Sequence, residues 1–243
     1  MRSAGRIAAA ARQIAGNMVT VGATTLSIDK KVREYIISQG AVPTFLGYNK
    51  FPANICVSVN EQVIHGIPSS RKLVQGDLVS VDIGATKHGY IGDCAATFIA
   101  GSGSPESEKL VKITRECFFK ALEYARVGYR VSDISGAVQR HAEANGFSLV
   151  REYIGHGVGT KMHESPEVPN YVELPRKKPD PRLLPGMTLA VEPMVNEGCA
   201  EIRILDDHWT VVTADGKNSA HYENTILITE GEPDILTICE EMP

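Results

Sequence analysis

A chain of 243 residues, 43% hydrophobic and 22% charged, has the composition of a globular protein able to bury a sizeable core. Its formal net charge of −4 gives no bulk attraction for nucleic acid or an anionic membrane, and no apolar run approaches the length of a membrane span. The five cysteines (Cys56, Cys94, Cys117, Cys199 and Cys239) are odd in number, scattered and without CxxC spacing, so free thiols in a reducing, cytoplasmic compartment are expected.

Near the N-terminus, Ile7, Ala8, Ala11, Ile14, Ala15 and Met18 form a helical apolar stripe, with Arg2, Arg6 and Arg12 expected to fall off it. A structural helix is favoured there over a cleaved presequence of similar composition. Ser27 introduces a second helix over residues 28–39, closed by Gly40. Residues 41–56 read as loop with exposed-looking aromatics, 55–59 as a strand and His65-Gly66-Ile67-Pro68 as a turn.

The stretch 79–97, VSVDIGATKHGYIGDCAAT, carries Asp82 and Asp93 on two apolar runs joined by Thr86-Lys87-His88-Gly89. A hairpin here sets the two carboxylates facing or diagonal across one ladder. Taken alone, the segment fits two surface aspartates equally well; on a half-buried face, like charges that close need a cation. A long helix is expected over residues 106–126.

Beyond it the chain starts again. Val21-Gly22 followed by a helix to Gly40 is matched by Val127-Gly128 followed by a helix to Gly146, an offset of 106. Likewise GDLVSVD (76–82) is matched by GMTLAVE (186–192), an offset of 110, with a carboxylate ending each strand. This spacing predicts one domain over 1–243 built from two pseudo-symmetric halves, about 1–120 and 121–243, with Asp82 and Glu192 near a common axis. In the second half His156 stands between glycines and His163 follows it. Residues 166–185 hold six prolines and read as a surface loop, with Arg176-Lys177-Lys178 as a solvated run; further strands are expected over 208–212 and 222–228.

The polar residues that end or interrupt apolar strands are Asp82, Asp93, His156, Glu192 and Glu223. Four carboxylates and one imidazole suit two divalent cations among Mn, Fe, Co and Zn, and carboxylates can bridge such a pair. Each residue singly is more often structural or solvated; jointly each occupies a position where a charge should not be left unpaired.

The segments NEQVIHGIP (60–68), VSVDIGATKHGYIGD (79–93), GHGVGTKMHESP (155–166), LAVEPMV (189–195) and SAHYENTILIT (219–229) closely resemble the type I methionine aminopeptidases, in that family's order and over nearly the whole chain. The resemblance implies an α+β pita-bread fold, its central curved antiparallel sheet covered by helices, and removal of N-terminal methionine before a small second residue (Gly, Ala or Ser). It implies that Asp82 chelates one metal, His156 and Glu192 bind the other, and Asp93 and Glu223 bridge both, with a hydroxide between the metals as nucleophile. Glu192 also handles protons, and His65 and His163 bind the substrate's peptide group and steady the tetrahedral intermediate. Phe45, Tyr48, Phe51, Cys56, Met162 and Trp209 line the methionine pocket, with His65 at its edge. The chain departs from the common pattern at Phe45 (often small or cysteine), Phe51 (often tyrosine) and Met162 (often phenylalanine), and it opens inside the family's first helix. The implied partners are N-termini of peptides and nascent proteins, with transient ribosome contact, no DNA, no membrane and a monomeric enzyme. Proline-specific relatives of the same fold usually carry an extra N-terminal domain that 243 residues cannot hold. Relatives with a dead site have lost ligands that are intact here.

Overall fold

A computed structural model describes residues 1–173, 175 and 179–238; the Arg176-Lys177-Lys178 run and Cys239 lie outside the described residues. Among those described, the helices are α1 (Arg2–Met18), α2 (Thr25–Ser38), α3 (Pro105–Leu122) and α4 (Val131–Ala144). The first-half strands are β1 (Val42–Pro43), β2 (Cys56–Val59), β3 (Gln62–Ile64), β4 (Leu78–Lys87) and β5 (Tyr90–Ile99). The rest are β6 (Ser148–Leu149), β7 (Gly155–Gly157), β8 (Glu164–Val168), β9 (Thr188–Val191), β10 (Met194–Asn196), β11 (Ile202–Ile204), β12 (Val211–Thr213), β13 (Ser219–His221), β14 (Glu223–Leu227) and β15 (Asp234–Ile235).

The main sheet runs β1-β4-β5-β14-β9-β7-β8, with β2 also on β4 and β15 on β14, and every pairing is antiparallel. Strands alternate their side chains between two faces, and here one face is largely apolar. On that face Val79, Val81, Ile83 and Cys94 pack against α1 and α2 through Ala8, Ala11, Ala15, Ile28, Val32 and Ile36. Leu189, Val191 and Ile226 do the same against α3 and α4 through Leu110, Cys117, Phe118, Ile134 and Val138. The helices therefore cover one side of the sheet, and the other is left for polar residues.

The offsets read from sequence recur in the backbone. The bridge Thr24↔Lys72 in the first half has its counterpart in Arg130↔Arg182. The Leu73 N–H donates to Ala23 O, and the Leu183 N–H to Tyr129 O. Gly76 and Gly186, which lead into β4 and β9, both take φ +88, a left-handed value that only glycine adopts freely.

The structure corrects several expectations. The β4–β5 turn is only two residues, His88 (φ 53) and Gly89 (φ 78), because both strands continue past the expected tetrapeptide. Helix α2 begins at Thr25, since Thr24 accepts the Ser27 N–H as its cap, and α3 stops at Leu122, where tight turns at Tyr124 and Ala125 replace the helical ladder. Phe45 and Phe51 are buried, leaving Tyr48 the exposed aromatic of that loop. Residues 166–168 belong to β8, so the proline-rich segment is not all surface loop. His208 and Trp209 lie in a turn held by Asp207, ahead of β12, and His221 ends β13 while β14 starts at Glu223. Among the described residues, Cys56, Cys94, Cys117 and Cys199 form no disulfide. No described helix is long and apolar enough to cross a membrane.

The largest departure is Arg12, which is buried. It follows Ala8 by four residues and precedes Ala15 by three, so it lies on the apolar stripe and not off it. Its guanidinium crosses to the sheet and donates to Glu223 O (2.8 Å), Asn224 Oδ1 (3.0 Å), Thr237 O (3.2 Å) and Ala95 O (3.3 Å). Glu223, Asn224 and Ala95 belong to strands that carry candidate site residues. Asn224 Oδ1 also accepts the Thr237 hydroxyl, but replacing Arg12 with Ala takes the guanidinium from the three carbonyls at about 1–3 kcal/mol each, so urea unfolding should show a loss of at least roughly 3 kcal/mol. A variant within about 0.5 kcal/mol of wild type, the ordinary surface range, would show that the network contributes little.

Candidate metal centre

Five neighbouring strands of the sheet each supply one residue. In spatial order these are Asp82 on β4, Asp93 on β5, Glu223 on β14, Glu192 directly after β9, and His156 on β7. Register puts them on one face. Asp82 faces Ala95, two residues from Asp93 on the same side of β5, and Ala95 also faces Glu223. Asn224 faces Val191, which sets Glu192 beside Glu223, and Ala190 faces His156. The two aspartates are thus diagonal neighbours.

Asp93 and Glu223 are each 2% exposed, and Asp82 and Glu192 are half-buried. Carboxylate oxygens of Asp93 and Glu223 and a ring nitrogen of His156 lie within 4.8 Å of one another. His156 Nε2 is 3.5 Å from Glu192 Oε1 and 3.8 Å from Asp93 Oδ2. Its Nδ1 lies 2.8 Å from Gly157 O and donates to it, which leaves the Nε2 lone pair facing the carboxylates, the tautomer a metal ligand needs. Backbone contacts hold the frame: Thr225 Oγ1 accepts the Asp93 N–H and donates to Asp93 O, and Asn170 Nδ2 donates to Glu192 O.

Burial raises all four acids, and repulsion adds to it at Asp93, Glu192 and Glu223. Asp82 is pushed up to about 7, chiefly by burial. Asp93, Glu192 and Glu223 stand well above the usual carboxyl range, through burial and then each other's charge. The histidines move the other way. Burial lowers His65 and His156 to about 4, His221 to about 3, and His163 in the same direction. Asp82 Oδ1, Asp93 Oδ1 and Glu223 Oε1 are buried without a hydrogen-bond partner. Anionic oxygens orphaned in this way, beside a histidine lone pair, fit divalent cations of the Mn, Fe, Co and Zn type.

The cluster forms the floor of a cavity of about 250 Å³. Every residue named from sequence for the pocket borders it: Phe45, Tyr48, Phe51, Cys56, His65, Met162, His163 and Trp209. Phe51 meets Trp209 edge to face at 5.1 Å, and His65, held at φ 59, packs edge-on against Tyr153 at 5.4 Å and Trp209 at 6.2 Å. Tyr48 Oη lies 2.6 Å from His163 Nδ1, and the His163 ring centre lies 4.3 Å from that of His156 with the rings tilted by 59°. Sequence reasoning missed Asn49, Ile64, Tyr153 and Ile154 in the walls, and the buried His221, whose Nε2 lies 3.8 Å from Glu192 Oε2 and 3.9 Å from Glu223 Oε2. A period-two reading back from Glu223 finds His221, since residues two apart share a face.

Residues 1–230 match metallopeptidase family M24. The chain is 50% identical to the methionine aminopeptidase of Clostridium perfringens over 238 residues, 98% of this chain and 94% of that one. It is also 50% identical to methionine aminopeptidase 1 of Bacillus subtilis over 237 residues, again 98% and 94% of the two chains. The crystal structure of methionine aminopeptidase from Thermotoga maritima superposes with a TM-score of 0.93 at 41% identity, covering 98% of this chain and 94% of that one. A prolidase from Pyrococcus furiosus, 23% identical, shares the fold at a TM-score of 0.78, this chain spanning 63% of it.

The opposed shifts make a pH signature in protein stripped of divalent metal. The raised carboxyls contribute stability at low pH that is lost as pH climbs from about 4 through about 7 and beyond. The lowered histidines contribute stability above about 6.5 that is lost as pH falls toward 4. These partly cancel below pH 6.5, and above it only the carboxyl effect is left. Chelated protein should lose thermal stability between about pH 6.5 and 8, and added divalent metal should reverse that slope. Parallel melting profiles with and without metal would contradict the assignment.

Proposed function

The chain belongs to metallopeptidase family M24 and, within it, to the methionine aminopeptidases, and from that premise we propose that it removes the N-terminal methionine of peptides and nascent proteins using two divalent ions held by Asp82, Asp93, His156, Glu192 and Glu223. Its fold is the pita-bread fold of those enzymes and of the prolidases. The observation that carries the reading is that five adjacent strands each place one metal-type donor on one face, beneath an aromatic cavity.

On this reading Asp82 serves one ion, His156 and Glu192 the other, and Asp93 and Glu223 both. The close approach of Asp93, Glu223 and His156 supports the central place given to the bridging pair. Bound there, the ions supply Lewis acidity toward the scissile carbonyl and water activated near neutral pH. Phe45, Phe51, Cys56, Met162, Trp209 and Tyr48 take the methionine side chain, where thioether–ring contacts favour sulfur.

Burial keeps His65 and His163 neutral, so each can donate an N–H to the peptide oxygen without bringing a charge into the cavity. Donation of the Tyr48 hydroxyl to His163 Nδ1 leaves the proton on Nε2, the nitrogen free to reach substrate. Glu192 takes up the proton released as water attacks and passes it to the leaving amine. A small second residue, monomeric action on nascent chains in transient contact with the ribosome, and a cytoplasmic setting follow from the same family. The two halves, about 1–120 and 121–243, form one catalytic domain, supported by the bridges that recur at the sequence offsets.

Purified protein supplied with Mn, Fe, Co or Zn should release methionine from a Met-Gly-Met peptide at neutral pH; no release with any of the four would sink the proposal. Glu192→Gln should abolish nearly all turnover. His163→Ala should keep both ions and lose on the order of 10²–10³ in kcat, as for one oxyanion-type donor. A fully active His163→Ala would remove that residue from the mechanism.

A further inference from the structure

His221 is 2% exposed, and its Nε2 is buried with no hydrogen-bond partner. A polar atom left unsatisfied in a core is costly, so the side chain needs a physical reason to be there. The backbone has no freedom to explain it away: the His221 N–H donates to Thr97 Oγ1 at 2.8 Å, and that hydroxyl donates to His221 O at 2.9 Å. With β13 ending at His221 and β14 beginning at Glu223, the imidazole is delivered to the face that carries the carboxylates.

The contacts are selective among oxygens. Glu192 lies between two imidazoles, with His156 Nε2 at 3.5 Å from its Oε1 and His221 Nε2 at 3.8 Å from its Oε2. Glu223 offers its Oε2 to His221 at 3.9 Å, while its Oε1 is the buried oxygen without a partner. In Glu192 His221 faces the oxygen opposite the one nearest His156, and in Glu223 the oxygen opposite the unpartnered one. A movement of about 0.6–0.7 Å brings Nε2 within hydrogen-bond range of either. His221 does not border the cavity that holds Asp82, Asp93 and His156; it borders a separate cavity of about 210 Å³ with Arg12, Gln13, Thr97, Arg115 and Tyr222. It is therefore placed to act on the carboxylates and out of reach of a substrate in the first cavity.

We propose that His221 is a positioning residue of the metal centre, its Nε2–H holding the outer oxygens of Glu192 and Glu223 so that their inner oxygens stay aimed at the ions. The inference rests on the two-ion reading above. Hydrogen-bond partners that orient ligands in this way typically change metal affinity ten- to a hundredfold when removed.

The test is titration of the full chain with Co²⁺ alone, followed by calorimetry and by the visible spectrum of the bound ion, which reports ligand geometry and is indifferent to general stability. His221→Met keeps the volume and loses the donor; it should bind cobalt ten- to a hundredfold more weakly with a shifted spectrum. His221→Gln restores an N–H at similar reach and should recover affinity to within a few-fold of wild type. Should the Met variant not fold, His221→Asn, whose amide falls short of both carboxylates, is expected to show the same weakening. Wild-type affinity and spectrum in the variant without a donor would overturn the proposal, as would a loss beyond a thousandfold that Gln fails to rescue, since His221 would then be a ligand itself. Wild-type protein that bound no cobalt would instead overturn the two-ion reading and this proposal with it.

Discussion

Four carboxyl groups converge on one face of a sheet, and they cannot all be ionised there without cations. Two of them are almost wholly buried, and three of the oxygens find no hydrogen bond. Desolvation drives every one of these acids upward, and repulsion adds to it at Asp93, Glu192 and Glu223, so the folded chain alone answers the problem by holding protons. Divalent ions answer it differently: they replace the protons and turn an electrostatic liability into a Lewis-acid centre. A site of this kind links folding, metal binding and proton release, because all three draw on the same oxygens.

The sheet can hold such a cluster because its opposite face is well packed. Helices α1 and α2 bury the apolar side of β4 and β5, and α3 and α4 bury that of β9 and β14. Strand spacing of about 4.8 Å then sets the donors at ligand-like separations. Arg12 ties the two faces together: from within the helical layer it bonds the carbonyl of Glu223 and the side chain of Asn224. Asn170 and Thr225 perform the same service from the site side, fixing the backbone of Glu192 and Asp93. Rigidity at the first layer of donors is thus supplied by residues that never touch the cavity.

Much of this was legible in the sequence. Asp82 and Asp93 could be placed on a hairpin from alternation and a turn, and the offset between 76–82 and 186–192 tied Glu192 to Asp82 across the chain. What stayed hidden depends on tertiary contact. Arg12 reads as a solvent-facing charge until its acceptors, over eighty residues away at the least, are known. Asn170 sits in a proline-rich stretch whose composition says only loop, yet it reaches the Glu192 carbonyl. His221 was visible inside a matched segment, but its function could not be assigned without knowing that the chain passes from one sheet to another across Tyr222 and that the imidazole lies beside two carboxylates. The exposed-looking aromatics Phe45 and Phe51 misled for the same reason: a loop is recognisable from glycine and proline, whereas the wall it folds against is not.

The central claim is that the cluster exchanges protons for two cations. Calorimetric titration of chelated protein with Mn²⁺ at pH 7, repeated in buffers of different ionisation enthalpy, measures stoichiometry and proton release together. The account predicts two ions per chain, with protons released into the buffer as the raised carboxyls ionise. Binding with no buffer dependence, or no binding at all, would contradict it.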